Sequence, residues 1–187
     1  MYLLPQPKKL TFTEETCYLA YNRKIQISQS CAPESWHHAV LLQKEMEQYA
    51  GWRPEIVRGC SACVGVILEV QPADDEESYE IVISQQGVRI TGAGTKGLLY
   101  GIQTLRQIIR QEGAVLPGMH LWDAPDMKNR GYYHDVTRGR IPTLEYLKHL
   151  ADTLSFYKMN QLQLYIEHTY LFEGLSEMWR DDTPLTA

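Results

Sequence analysis

The sequence has no apolar run long enough to cross a bilayer as a helix. Its first residues cannot form the apolar core of a secretory leader either, because Pro5, Pro7, Lys8 and Lys9 interrupt them at once. A cytoplasmic address is therefore expected, with no membrane partner. Charge of one sign is not concentrated: 18 Lys and Arg stand against 23 Asp and Glu, giving a formal net charge of −5. Without a dense basic stripe, a nucleic-acid surface has no support. Cysteine is scarce, with four in 187 residues. The segment Cys60-Ser61-Ala62-Cys63 has the spacing of a zinc or redox pair. Zinc would need a second pair or suitably spaced histidines, and a redox pair should open a helix, where the dipole lowers a thiol pKa. Cys63 instead leads into the strand-like Val64-Gly65-Val66-Ile67-Leu68. The thiols read as structural or incidental, and no metal or other cofactor is expected.

What is present is enough apolar material for a core, at 44% hydrophobic residues. Short β-like runs at residues 9–12 and 25–28 precede a helix expected over residues 33–50. Trp36, Ala39, Val40, Leu42, Met46 and Ala50 recur along it at helical spacing, and Gly51 supplies the stop. Strands are expected at residues 63–70, 79–84 and 88–91, the last two joined through Gln85-Gln86-Gly87 as an antiparallel hairpin. A second helix over residues 95–110 carries the stripe Leu98, Ile102, Leu105 and Ile109, with Gly101 beside it for close approach to a sheet. Residues 117–123 add one more strand. This order predicts an α+β domain, an antiparallel sheet with helices on one face.

Asp123-Ala124-Pro125-Asp126 breaks the pattern, and the domains are expected to be 1–125 and 126–187. Beyond the break the periodicity is that of a βαβ unit: a strand at 131–136, a helix capped by Thr143 with Glu145 in its first turn, and a second strand at 161–166. Leu144, Leu147, Ala151 and Leu154 give that helix an apolar face. Such a unit is parallel, and a parallel pair needs further strands and helices to cover it. The residues after 166 are too few to finish a sheet, so the chain reads as a fragment that would expose apolar surface and self-associate.

Three groups of residues invite a chemical reading. Gly92-Ala93-Gly94-Thr95-Lys96-Gly97 matches the dinucleotide fingerprint, but the strand before it pairs through a tight turn, whereas that fingerprint belongs to a parallel βαβ unit. Arg130 to Arg138 gathers ionisable groups around one strand, with Asp135 and Arg138 able to pair and hold the following loop. Glu167 and His168 follow the second strand, where barrel folds place functional side chains. His37 and His38 are adjacent on a helix and point in different directions, so they do not chelate together; His120 and His149 have no evident partners, and all four read as non-functional.

Arg130, Gly131, Asp135 and Arg138, then Pro142, Lys158, Asn160, Leu162 and Leu164, resemble the opening of the catalytic barrel in glycoside hydrolase family 20, the β-N-acetylhexosaminidases. Upstream, residues 92–109 resemble the last strand and helix of that family's non-catalytic N-terminal domain, and residues 3–12 its opening strand. The resemblance implies an N-terminal α+β domain followed by a truncated (β/α)8 barrel opening, strand–helix–strand. It implies a retaining, substrate-assisted hydrolysis of terminal N-acetylglucosamine or N-acetylgalactosamine, in which the sugar's 2-acetamido oxygen attacks the anomeric carbon. Arg130 would hydrogen-bond hydroxyls of that sugar, with Glu167 and His168 as further substrate contacts and Asp135 and Arg138 as structural neighbours. The family's catalytic Asp-Glu pair follows the fourth barrel strand. Residues 128–187 fall far short of the roughly 250 of a typical eight-stranded barrel. The implied chain therefore carries no catalytic residue and is expected to be inactive alone, its alternative being a non-catalytic carbohydrate-binding or interaction module.

Overall fold

A computed structural model describes residues 1–138, 141–167 and 170–175. The chain divides into two compact units, Met1–Asp126 and Met127–Ala187.

In the first unit the elements run β1 (Lys9–Tyr18), β2 (Lys24–Ile27), α1 (Ser35–Glu45) with a π-helical turn at Met46–Ala50, β3 (Ile56–Arg58), β4 (Val64–Val70), β5 (Tyr79–Ser84), β6 (Gly87–Gly92), α2 (Thr95–Glu112) and β7 (Val115–Asp123). The seven strands form one sheet in the order β1-β7-β5-β6-β4-β2-β3. Alternation along β5 buries Tyr79, Ile81 and Ile83, while β6 buries Val88 and Ile90. Against them lies α2, whose expected stripe of Leu98, Ile102, Leu105 and Ile109 is fully buried. A Cβ on Gly101 would come 2.5 Å from Ile90 Cγ2. That position therefore accepts no side chain without moving the helix off the sheet.

The expected antiparallel sheet is instead mixed. β1–β7, β5–β7 and β5–β6 are antiparallel, but β2 runs parallel to β3 and β4, and β4 parallel to β6. The hairpin had fixed one pair. The rest follow from crossovers, since α1 returns the chain to lay β3 parallel beside β2, as such connections require. The short β3 carries no periodic signal of its own. β1 extends past Phe12 because a register shift between Phe12 and Thr16 absorbs polar residues within one long edge strand.

Helix α1 buries Ala39, Leu42 and Met46 of the expected stripe. Trp36, expected with them, is instead 43% exposed, and the small Ser35 is buried at the start of the helix. Gly51, at φ +83°, ends the π-helical turn in the left-handed region as the sequence suggested. Buried beside Met46, Glu45 accepts from Arg106 Nε at 2.7 Å and from the Arg110 guanidinium, both on α2.

Two polar devices close this unit. Asp123, at the end of β7, accepts from Tyr79 Oη at 2.9 Å, from the Ala124 amide at 3.0 Å and from the Lys8 amide at 3.3 Å. Tyr79 Oη also shares a hydrogen bond of 2.7 Å with Thr104 on α2. Along α2, the carboxamides of Gln107 and Gln111 each both donate to and accept from the backbone of the N-terminal segment, at Leu4 and Tyr2, over 2.7–2.9 Å.

The second unit pairs β8 (Gly131–Asp135) with β9 (Gln161–Tyr165) in parallel, joined through α3 (Leu144–Phe156). Thr143 caps α3, its Oγ1 accepting from the Tyr146 amide at 3.2 Å, with Glu145 in the first turn as expected. The apolar face proposed for α3 is less covered than expected: Leu144 is 65% exposed, Ala151 is exposed, and Leu147 and Leu154 are half-buried. No described helix is long and apolar enough to cross a membrane.

Candidate functional site

Pairing of β8 with β9 sets Tyr133 opposite Gln163 and Asp135 opposite Tyr165. Side chains two apart share a face of a strand, so Tyr133, Asp135, Gln163 and Tyr165 stand on one side of the pair. His134 stands on the other, its ring 6.1 Å from that of Tyr146 on α3. The side away from α3, at the carboxyl ends of both strands, collects the polar chemistry.

Asp135 organises that end. Its Oδ1 accepts from the Thr137 amide and hydroxyl, both at 2.8 Å, and from the Arg138 amide at 3.2 Å, while Oδ2 accepts from Arg138 Nη1 at 2.9 Å. The two Thr137 hydrogen bonds, then those from Arg138, hold its carboxyl well below the usual carboxylate range. Arg138 lies over the Tyr165 ring at 5.3 Å, and its Nη2 is 3.5 Å from Glu167 Oε1. Hydrogen bonds to Asp135 and Tyr165, then the charge of Glu167, push the guanidinium above its ordinary pKa. Arg138 nevertheless remains 65% exposed. The result is a fixed, permanently charged fork on an aromatic plate, with donors available to solvent. It can bind an oxygen-rich ligand. Asp135, with four donors on it and a depressed pKa, is not a proton donor at neutral pH.

Arg130 is placed elsewhere, before β8 and at the other end of the strand from Asp135. Its Nε donates to the Lys158 carbonyl at 3.0 Å and its Nη1 to the Met127 carbonyl at 2.6 Å. Asn160 joins the same knot, accepting from the Arg130 amide at 2.9 Å and donating to the Lys128 carbonyl at 2.8 Å. Three residues of the sequence motif, Arg130, Lys158 and Asn160, thus tie the start of β8 to the turn before β9. Glu167 joins Arg138; His168 lies outside the described residues. Tyr165, the plate beneath Arg138, was missed as a site residue. Its position two residues before Glu167, in register with Asp135, was the available signal.

The glycine run is filled by the protein itself. A Cβ on Gly97 would meet the Ser78 carbonyl oxygen at 2.1 Å, and one on Gly94 the Glu76 side chain at 2.4 Å. The Gly97 amide donates to the Glu76 carbonyl at 3.2 Å. The start of α2 is thus taken up by residues 76–78, and an acidic side chain sits where a phosphate would have to lie. Cys60 and Cys63 are exposed and unbridged in the loop before β4, and no group of three or more His, Cys, Asp or Glu among the described residues could hold a metal ion.

Residues 1–124 match the family model described as glycosyl hydrolase family 20, domain 2. A β-hexosaminidase of Vibrio furnissii is 28% identical over 160 residues, covering 84% of this chain and 25% of that protein. A β-N-acetylhexosaminidase of Cellulomonas fimi is 28% identical over 171 residues, covering 88% and 34%. The chain thus spans about a quarter to a third of the length of these relatives. Among solved structures, the N-acetyl-β-hexosaminidase of Streptomyces plicatus in complex with Thio-NAglucal superposes with a TM-score of 0.78 at 22% identity, over 88% of this chain and 34% of that one. The GH20 β-N-acetylhexosaminidase of Streptomyces coelicolor A3(2) gives 0.76 at 24% identity, with the same coverage. At such identities the superpositions speak for the fold.

Proposed function

The chain belongs to glycosyl hydrolase family 20, and from that premise we propose that it is the N-terminal part of a β-N-acetylhexosaminidase acting on terminal N-acetylhexosamine residues. In this reading β8, α3 and β9 open a (β/α)8 barrel. The side of the strand pair away from α3 is the barrel interior, and the carboxyl ends of the strands belong to the sugar site, as in barrel enzymes generally.

The observation that carries the proposal is the Asp135–Arg138–Tyr165–Glu167 cluster at those carboxyl ends. Arg138 takes the role that the sequence resemblance gave to Arg130. Its guanidinium donates to hydroxyls of the terminal sugar, Asp135 and Tyr165 fix its direction, and Glu167 accepts from a neighbouring hydroxyl. Arg130 serves as the strut at the other end of the strand. Chemistry follows the retaining, substrate-assisted course: the 2-acetamido oxygen attacks the anomeric carbon, and a separate Asp-Glu pair orients the amide and moves the proton. The cluster supplies binding and orientation but no proton donor, so the 187-residue chain does not hydrolyse glycosides alone. The apolar surface of α3, Leu144 in particular, promotes self-association.

Calorimetry with N-acetylglucosamine and a chromogenic β-N-acetylglucosaminide assay test this together. Binding that Arg138→Ala weakens and Arg130→Lys retains, with no turnover above the blank, is the expected result. Turnover by the purified chain, or binding indifferent to Arg138, would overturn it.

A further inference from the structure

The seven-stranded sheet packs its helices on one face and leaves the other open. Register places Lys9, Trp122, Glu80, Thr91 and Glu69 side by side across that open face. Its charges are largely matched there. Arg89 Nη1 lies 2.8 Å from Glu69 Oε2, and Thr91 Oγ1 donates to Glu69 Oε1 at 2.9 Å. His120, which the sequence left without a partner, has Nδ1 3.6 Å from Glu80 Oε1. Lys9 Nζ lies 5.2 Å from the centre of the Trp122 ring. A surface so paired favours neither a polyanion nor a polycation.

Among these polar groups stands the large indole of Trp122, 38% exposed on a strand flanked on both sides by others. Trp122 helps to line a shallow recess of about 200 Å³, together with Gln71, Pro72 and Ala73 after β4 and Glu80 and Thr91 on the sheet. Ligand sites combine an apolar plate with a few placed polar groups, and this recess is below the roughly 300–1,000 Å³ of drug-sized pockets. It suits one ring. An aromatic plate edged by a carboxylate, a hydroxyl and a carboxamide on a charge-matched surface fits a neutral polyhydroxylated ring, with C–H groups on the indole and hydroxyls toward Glu80, Thr91 and Gln71.

We propose that the open face of the sheet carries a sugar-binding subsite centred on Trp122, separate from the Asp135–Arg138 cluster, which takes one N-acetylhexosamine unit of an oligosaccharide. The sugar class rests on the functional reading above; the site itself rests on the geometry of the first unit. Titrating the isotopically labelled 187-residue chain with N-acetylchitotriose tests it by amide and indole NMR shifts. The expected result is saturable shifts at Trp122, residues 71–73, Glu80 and Thr91, weakened about tenfold or more in Trp122→Ala, the loss of one aromatic contact. Glu80→Gln, which keeps the shape of the side chain, should weaken binding several-fold and guards against a misfolded tryptophan variant. Arg138→Ala should leave these shifts in place. Shifts confined to residues 133–138 and 165–167 would overturn the subsite while leaving the hexosaminidase reading intact. Equal response to cellotriose would overturn the assigned sugar class, and no response on the sheet at any concentration would overturn the proposal outright.

Discussion

Glu45 is 3% exposed yet carries a carboxylate, and it survives in the core because two arginines of α2 reach it from one side. Arg106 is itself steadied by Gln103, whose Oε1 accepts from Nη1 at 2.6 Å, and Arg110 lies over the Tyr49 ring at 5.4 Å. Deleting the acid removes a buried charged partner from two arginines at a helix contact. A fully buried pair so broken costs about 3–5 kcal/mol; with Arg110 39% exposed, water relieves part of this. Glu45→Ala should destabilise the first unit by about 2 kcal/mol, read as a lowered denaturation midpoint with an unchanged urea dependence. A midpoint within error of the parent would contradict this account. Single residues of this kind were poorly legible in the sequence. Glu45 occupies a helical position that propensity assigns to solvent, and its partners lie some sixty residues away. Arg130 and Arg138 show the same difficulty. Both are arginines of one motif, and only the three-dimensional strand separates the one bonded to backbone carbonyls from the one that faces outward.

At the level of elements, local chemistry was the better guide. The hairpin, the apolar stripe of α2 and the Thr143-capped α3 between parallel strands could all be read, because each is determined within a few turns of chain. Parallel neighbours were not legible: β2 meets β4 across an intervening helix and strand, a choice made by the sheet as a whole. The same distinction explains the glycine run. Its spacing matches a dinucleotide fingerprint, which the hairpin before it already spoke against, and packing gives Gly97 to Ser78. Gly97→Ala should therefore force α2 away from residues 76–78 and lower stability by about 2 kcal/mol or more, as overpacking does. Neither ATP nor NAD should shift the melting temperature of the parent. A thermally neutral Gly97→Ala would remove the packing explanation.

For the molecule as a whole, the end of the first unit depends on a tyrosine that must stay protonated. Burial, then the nearby charge of Asp123, raises the Tyr79 hydroxyl well above its ordinary pKa. A group raised on folding contributes its stability below the unfolded value and loses it as pH climbs from there toward the folded value. With tyrosine ordinarily near 10, melting temperature should begin to fall above about pH 10. Tyr79→Phe should lose about 1–3 kcal/mol at neutral pH, since Asp123 forfeits a donor, and should show a shallower alkaline decline. Parallel alkaline curves for parent and variant would mean that another group titrates there.

The paired carboxamides of Gln107 and Gln111 grip main chain rather than side chains at positions 2 and 4. A grip of that kind is blind to residue identity. Those two positions are therefore open to almost any replacement over evolutionary drift, with one exception: proline, which has no amide hydrogen to offer.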